Sequence, residues 1–247
     1  MRGELQMKKR VADIIVETLV EEGVDDCFAV VGGGAMHLDN ALGLNKNMNI
    51  IFNHHEQACA IAAEGYAKTT GKLPLVCVTS GPGTTNTLTG VMGAWVDSVP
   101  MLIISGQMRY ELMVEKTGLP LRFRANQEFN IVDTVKTMTK YAKIIIDPLE
   151  IKQEVQKAIH LAKSGRPGPV WLDIPLDTQM AMVEEDDLVS YSIDYDEKLV
   201  DDDILDKIVK QLNDAKRPVI LAGNGIANSG NLELFRKFAK MLKIPVI

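Results

Sequence analysis

The sequence predicts an α/β protein: a three-layer α/β/α domain with a mostly parallel sheet, followed by the beginning of a second α/β domain. Three observations lead there. Helix-period and strand-like apolar segments alternate through the first part of the chain, the pattern of successive β–α units. The strand-like runs, such as Leu75-Val76-Cys77-Val78, are apolar at every position, as strands covered by helices on both faces must be. Glycine-rich or polar segments follow successive strands, and ligands bind such sheets beyond the carboxyl ends of the strands.

Taken in order, Val11, Ile14, Ile15, Thr18 and Leu19 share one helical face, and Gly23 stops that helix. Residues 27–31 form a buried strand running into the tight turn Gly32-Gly33-Gly34. A helix over 35–44 and a strand over 49–52 follow. Residues 55–70 are Ala-rich and close at Gly71, a helix with its stop signal. A strand over 75–79 leads into a loop, Ser80-Gly81-Pro82-Gly83, then a helix over 84–95 and a strand over 101–105. Residues 109–124 mix charges with Gly118 and Pro120 and read as a long loop. The pattern then predicts a helix over 127–139, a strand over 142–146, a helix over 149–164 ended by Gly165, and a strand over 170–174.

Periodicity lapses from about Asp177, and residues 184–195 are acidic and aperiodic. We therefore expect a first domain over 1–180, an acidic linker over 181–200 and a second unit over 201–247. In that unit a helix over 202–212 turns Ile204, Ile208, Val209 and Leu212 inward. A strand over 219–222 leads into the turn Gly223-Asn224-Gly225. A helix over 232–242 precedes a strand opening at 244–247. A parallel sheet rarely ends at its second strand, so the chain is expected to be the front part of a longer polypeptide.

Composition narrows the function. The net charge is −6, whereas a nucleic-acid surface needs excess Lys and Arg. No apolar run approaches the roughly 20 residues of a membrane-spanning helix. The first ten residues lack the apolar core of a signal peptide, so the expected location is the cytoplasm. Cys27, Cys59 and Cys77 lie in apolar runs without metal-ligand spacing and read as small buried hydrophobes.

The candidate chemistry lies after the strands. Glu56, in His54-His55-Glu56-Gln57, stands where a strand gives way to a helix; position alone favours a helix cap over a catalytic carboxylate. In Ser80-Gly81-Pro82-Gly83-Thr84-Thr85-Asn86 the glycines let backbone approach a ligand, and the following helix aims N–H groups at it. No Lys-Ser/Thr follows the second glycine, so this is not a Walker loop. Adjacent His54 and His55 point in different directions and make a poor metal pair. Asp97 reads as a turn cap, and Gln127 and Glu128 as a helix start.

Together these segments resemble the thiamine-diphosphate-dependent enzymes of the acetolactate synthase, pyruvate oxidase and decarboxylase group. The resemblance runs from about Val11 to Gln179. It is carried by Val30-Val31-Gly32-Gly33-Gly34, His55-Glu56-Gln57 with Ala62-Ala63-Glu64-Gly65-Tyr66-Ala67, residues 79–86, Asp97-Ser98-Val99-Pro100 with Ile104-Ser105-Gly106-Gln107, and Gly165-Arg166-Pro167-Gly168-Pro169-Val170 with Asp173-Ile174-Pro175. Residues 217–224 resemble the opening of that family's middle domain.

The resemblance implies that Glu56 hydrogen-bonds a ring nitrogen of the cofactor's aminopyrimidine and favours the imino tautomer, which removes the thiazolium C2 proton for attack on a 2-keto acid. It implies that Ser80, Gly81, Pro82, Gly83 and Asn86 shape the pyrimidine wall, that Gly33 and Gly34 approach the reacting centre, and that Gln127 lies near the substrate. It also implies Mg2+ held by a C-terminal domain, whose Gly-Asp-Gly…Asn motif has no match here, so no metal ligand is expected in this chain. FAD contacts come largely from the family's middle domain, and nothing in this sequence supports them. A second subunit completing the site, in a homodimer or homotetramer, is implied. Asn126-Gln127-Glu128 stands where acetolactate synthases typically have Phe-Gln-Glu. A 2-keto acid decarboxylase or sugar-modifying carboligase therefore stays open, as does, from another class, a non-catalytic binding domain.

Overall fold

A computed structural model describes residues 8–192 and 200–247. Residues 193–199, in the expected linker, lie outside the described residues, as do residues 1–7. In chain order the elements are β1 (Lys9–Arg10), α1 (Val11–Glu21), β2 (Asp26–Ala29), α2 (Met36–Leu44), β3 (Asn49–Phe52), α3 (Glu56–Thr70), β4 (Leu75–Val78), α4 (Pro82–Asn86), α5 (Leu88–Val96), β5 (Met101–Gln107), α6 (Val114–Thr117), α7 (Ile131–Val135), β6 (Tyr141–Ile144), α8 (Ile151–Lys163), β7 (Pro169–Pro175), α9 (Leu176–Met180), β8 (Met182–Val183), α10 (Asp202–Asp214), α11 (Gly225–Asn228) and α12 (Leu232–Leu242). Two compact units divide between Tyr191 and Ser192.

The first unit is built on a six-stranded sheet of order β3-β2-β4-β5-β7-β6, parallel throughout. Alternate residues of the same strand enter two different cores. Leu75 and Cys77 join α1, α2 and α8 on one face, while Val76 and Val78 join α3, α5 and α7 on the other. Two apolar layers explain strands without polar alternation. The chain leaves β2 toward β3, then crosses back over β2 to β4. This reversal opens a crevice at the carboxyl ends of β2 and β4, the usual ligand position in open parallel sheets.

Local signals set the helix ends. Gly23 and Gly71 adopt φ of +76° and +72°, closing α1 and α3 as their positions in sequence predict. Several expectations fail for identifiable reasons. Pro82 and Gly83 belong to a helix rather than a loop, because proline suits the first helical turn. The helix expected over 84–95 divides into α4 and α5 around Thr87, whose Oγ1 bonds back to the Thr84 carbonyl at 2.7 Å. The loop over 109–124 contains a 310 turn, Tyr110–Leu112, and α6.

The helix expected over 127–139 shrinks to α7. Gln127 has φ +59°, which ends any helix there, and Asn130 caps the real one by accepting from the Asp133 N–H at 3.0 Å. Met182 and Val183, within the expected linker, form β8 and pair antiparallel with β1. In the second unit the strands expected over 219–222 and 244–247 reduce to one parallel bridge, Ile220–Val246. That single bridge offers no sheet to cover α10, so Ile204, Ile208 and Val209 stay exposed rather than inward.

Candidate functional site at the sheet's switch point

Glu56 is the first residue of α3, and it does not make the cap that its position suggests. His55 does: its Nδ1 accepts from the Gln57 N–H at 3.1 Å. The half-buried Glu56 carboxylate reaches sideways instead, and its Oε2 accepts from Asn86 Nδ2 on α4 at 2.9 Å. Gly83 packs closely on Thr79 next to it. A Cβ there would lie 2.8 Å from Thr79 Cγ2 and 3.7 Å from Glu56 Oε1. Glu56 thus meets Gly83 and Asn86 although it comes from a different β–α junction.

The Gly32–Gly34 turn is held from below. Gly34 N–H donates to Thr79 Oγ1 at 2.9 Å, and Gly32 N–H donates to Asp39 Oδ2 at 3.0 Å. Gln179 Nε2 donates to the Gly34 carbonyl at 2.8 Å. Burial pushes the Asp39 carboxyl up to about 6, partly offset by the Gly32 N–H. Gly33 is the open member: it is exposed, and a Cβ on it would meet nothing within 4 Å. Gly34 is buried, and Ser80 lies beneath it with its Oγ 2.9 Å from where a Gly34 Cβ would sit. The Ser80 side chain therefore supports the glycine turn. Pro82 is exposed at the start of α4 and offers no donor.

Gln127 comes to the same edge. Gly81 has φ +58°, and a Cβ there would lie 2.6 Å from the Gln127 carbonyl oxygen. The Gln127 residue is exposed at positive φ, a conformation worth notice in a non-glycine. Its neighbour Glu128 ties the surrounding segment together, its carboxylate accepting from the N–H groups of Val114 (2.7 Å), Arg124 (3.0 Å) and Ala125 (3.0 Å). This use of Glu128, rather than a helix start, is what the sequence did not reveal. Thr79, Asp39 and Gln179 were also missed as supports of the site. A threonine ending a strand or a glutamine following one carries no distinct sequence signal.

His54 and His55 form no metal pair. Among the described residues no group of three or more His, Cys, Asp or Glu is placed to hold a metal ion. Asp97 is ion-paired to Lys68 at 2.5 Å, as is Glu64 at 2.6 Å. Cys27, Cys59 and Cys77 are free thiols in the two cores, and burial raises the pKa of each.

A parallel sheet with a carboxylate and glycines gathered at its switch point defines a cofactor-binding α/β domain. Residues 9–130 match the model described as "Thiamine pyrophosphate enzyme, N-terminal TPP binding domain", and residues 205–247 match "Thiamine pyrophosphate enzyme, central domain". The chain belongs to the thiamine pyrophosphate enzymes. It is 37% identical over 238 residues to the acetolactate synthase large subunit of Lactococcus lactis, covering 96% of this chain and 40% of that protein. It is 37% identical over 241 residues to the chloroplastic acetolactate synthase 2 of Nicotiana tabacum, covering 95% of this chain and 34% of that one. With the chloroplastic acetolactate synthase of Arabidopsis thaliana the identity is 36% over 239 residues. The chain thus spans well under half the length of these relatives.

The chemistry of the Glu56 carboxylate is compatible with the polar ring of such a cofactor. A carboxylate held by Asn86 through one oxygen keeps its other oxygen to accept from a ring N–H. The family's cofactor is thiamine diphosphate.

Proposed function

We propose that this chain supplies the pyrimidine half of the active site of an acetolactate synthase-like carboligase or lyase, acting on a 2-keto acid such as pyruvate. The observation that carries the reading is the Glu56 carboxylate at the sheet's switch point, relieved of helix capping by His55 and held through one oxygen by Asn86. Bound thiamine diphosphate supplies a carbon acid able to add to the keto acid's carbonyl. Glu56 holds a proton at a ring nitrogen of the aminopyrimidine and so changes the proton affinity of the ring's amino group. Asn86 orients that carboxylate. Gly81 and Gly83 keep the wall free of side chains, with Ser80 and Pro82 shaping the turn, and Gly33 and Gly34 border the reacting centre. Gln127 lines the substrate side.

The diphosphate and Mg2+ fall, in this reading, to residues outside the pyrimidine-binding domain, from a second subunit of a homodimer or homotetramer. The free, buried cysteines agree with a cytoplasmic setting. Asn126, where acetolactate synthases typically carry an aromatic residue, favours a second reading with the same machinery: a decarboxylase or a sugar-modifying carboligase. The test is product analysis with pyruvate, thiamine diphosphate and Mg2+, using this chain alone and with a polypeptide carrying the Gly-Asp-Gly…Asn metal motif. Acetolactate formed only with both polypeptides is expected. Turnover by this chain alone would overturn the half-site reading. Acetaldehyde or a sugar adduct as sole product would select the second reading. Failure of the paired polypeptides to bind thiamine diphosphate would leave the non-catalytic binding domain.

A further inference from the structure

Two motifs of the sequence have polar side chains that the proposed reaction does not use: Ser105-Gly106-Gln107 on β5 and Asp173-Ile174-Pro175 on β7. They pair in register, Ser105 with Asp173 and Gln107 with Pro175. Ser105, Gln107 and Asp173 are each no more than 1% exposed. A carboxylate buried without a cation is a costly way to fill a sheet, since apolar residues would pack there as well.

The hydrogen bonds converge on Asp173. Trp171 Nε1 donates to Ser105 Oγ at 2.8 Å, and the Ser105 hydroxyl donates to Asp173 Oδ1 at 2.5 Å. From the other side Gln107 Nε2 donates to Asp173 Oδ2 at 2.9 Å. The same nitrogen donates to the Phe129 carbonyl at 2.9 Å, while Gln107 Oε1 accepts from the Met108 N–H at 3.0 Å. Turning the Gln107 amide over would set its oxygen against both the Asp173 carboxylate and the Phe129 carbonyl. The Met108 N–H, a donor, and the Phe129 carbonyl, an acceptor, fix the orientation of the Gln107 amide, and Asp173 Oδ2 holds its nitrogen in place from the sheet.

Phe129 lies two residues beyond Gln127, whose carbonyl packs on Gly81. Glu128 between them binds the N–H groups of Val114, Arg124 and Ala125. The bond from Gln107 to the Phe129 carbonyl thus ties this irregular segment to the rigid sheet. We propose that Asp173 and Gln107 are positioning residues: through the Phe129 carbonyl they hold the 113–129 segment, and with it Gln127, against the Gly81 turn. The anchoring stands on geometry alone; its consequence for the substrate side rests on the function proposed above.

The test uses Gln107→Leu and the milder Asp173→Asn in the complete enzyme. Asparagine keeps the shape but presents a donor where one oxygen was, so one arriving donor loses its acceptor. Amide hydrogen exchange at Val114, Arg124 and Ala125 should quicken by about tenfold in both variants, while β4 and β5 stay protected. The ratio kcat/KM for the 2-keto acid should fall by about tenfold, with thiamine diphosphate affinity within about twofold of wild type. Unchanged exchange in both variants overturns the anchoring. Faster exchange with unchanged kcat/KM overturns the role in the substrate wall. If the wild type acts on no 2-keto acid, the proposed function fails, and the exchange data still decide the anchoring.

Discussion

Glu56→Gln replaces one carboxylate oxygen by an amide nitrogen and leaves the size and rotamers of the side chain unchanged. The structural cost follows from its surroundings. Asn86 Nδ2 donates to a single oxygen of Glu56, and a glutamine can still offer that oxygen. The helix cap belongs to His55 and is untouched. What is lost is a negative charge in the first turn of α3, worth roughly 0.3–1 kcal/mol at a half-exposed helix N-terminus. The variant should therefore keep its fold and lose at most about 1 kcal/mol of stability. Activity should respond very differently. If Glu56 holds a proton at the pyrimidine ring, its neutral counterpart should slow cofactor C2–H exchange by about 10²–10⁴-fold, the usual range for a positioned acid–base group. The assay is hydrogen–deuterium exchange at C2 in the complete enzyme, followed by NMR after acid quench, beside thermal melts of both proteins. Exchange at the wild-type rate in a folded, cofactor-bound variant would refute the assigned role. A loss of several kcal/mol would show instead that Glu56 is a structural residue.

Gly106→Ala should destabilise the first unit by about 1–3 kcal/mol or more, because the new Cβ would lie 2.1 Å from the Gly34 carbonyl oxygen, among backbone atoms that cannot swing aside; an unchanged melting temperature would contradict this. Gly33→Ala is its counterpart: nothing lies within 4 Å of the new Cβ, so stability should stay within about 1 kcal/mol. Thiamine diphosphate affinity, measured by titration calorimetry on the complete enzyme, should nevertheless fall, and wild-type affinity would remove Gly33 from the cofactor wall. Burial pushes the Asp173 carboxyl up to about 7, against the opposing Ser105 and Gln107 bonds. The folded domain then retains a proton that the unfolded chain releases between about pH 4 and 7, so stability should fall as pH rises through that window, by up to about 1.4 kcal/mol per unit. Denaturant titrations across that range should show this slope for the wild type and a flatter one for Asp173→Asn; identical slopes would mean that Asp173 is not the group responsible.

Much of the first unit is legible in the sequence because its signals are local. A helix announces itself by Val11, Ile14, Ile15 and Leu19 on one face, and its end by Gly23 at positive φ. Strands with no polar alternation announce two covered faces, which Leu75 and Val76 then occupy in opposite cores. Where a side chain binds backbone outside any regular element, the local signal misleads. Glu128 resembles a helix start, yet its carboxylate gathers three N–H groups from residues on its N-terminal side. The apolar face of α10 is as periodic as that of α1, but among the described residues nothing covers it.

The order of the β–α units, the family they resemble and Glu56 as the carboxylate to watch are all read from the sequence. It could not say whether Glu56 capped its own helix. A helix N-terminus accepts a cap from either of two neighbouring side chains, and only the path of α4 decided the matter, by bringing Asn86 within 2.9 Å of the Glu56 carboxylate while His55 took the Gln57 N–H. Tertiary structure alone also joined Gln107 to Phe129 and Asp173. Hydrogen bonds between residues so far apart in sequence leave no periodicity to read, because they are set by strand order and register, which emerge only when the sheet is assembled.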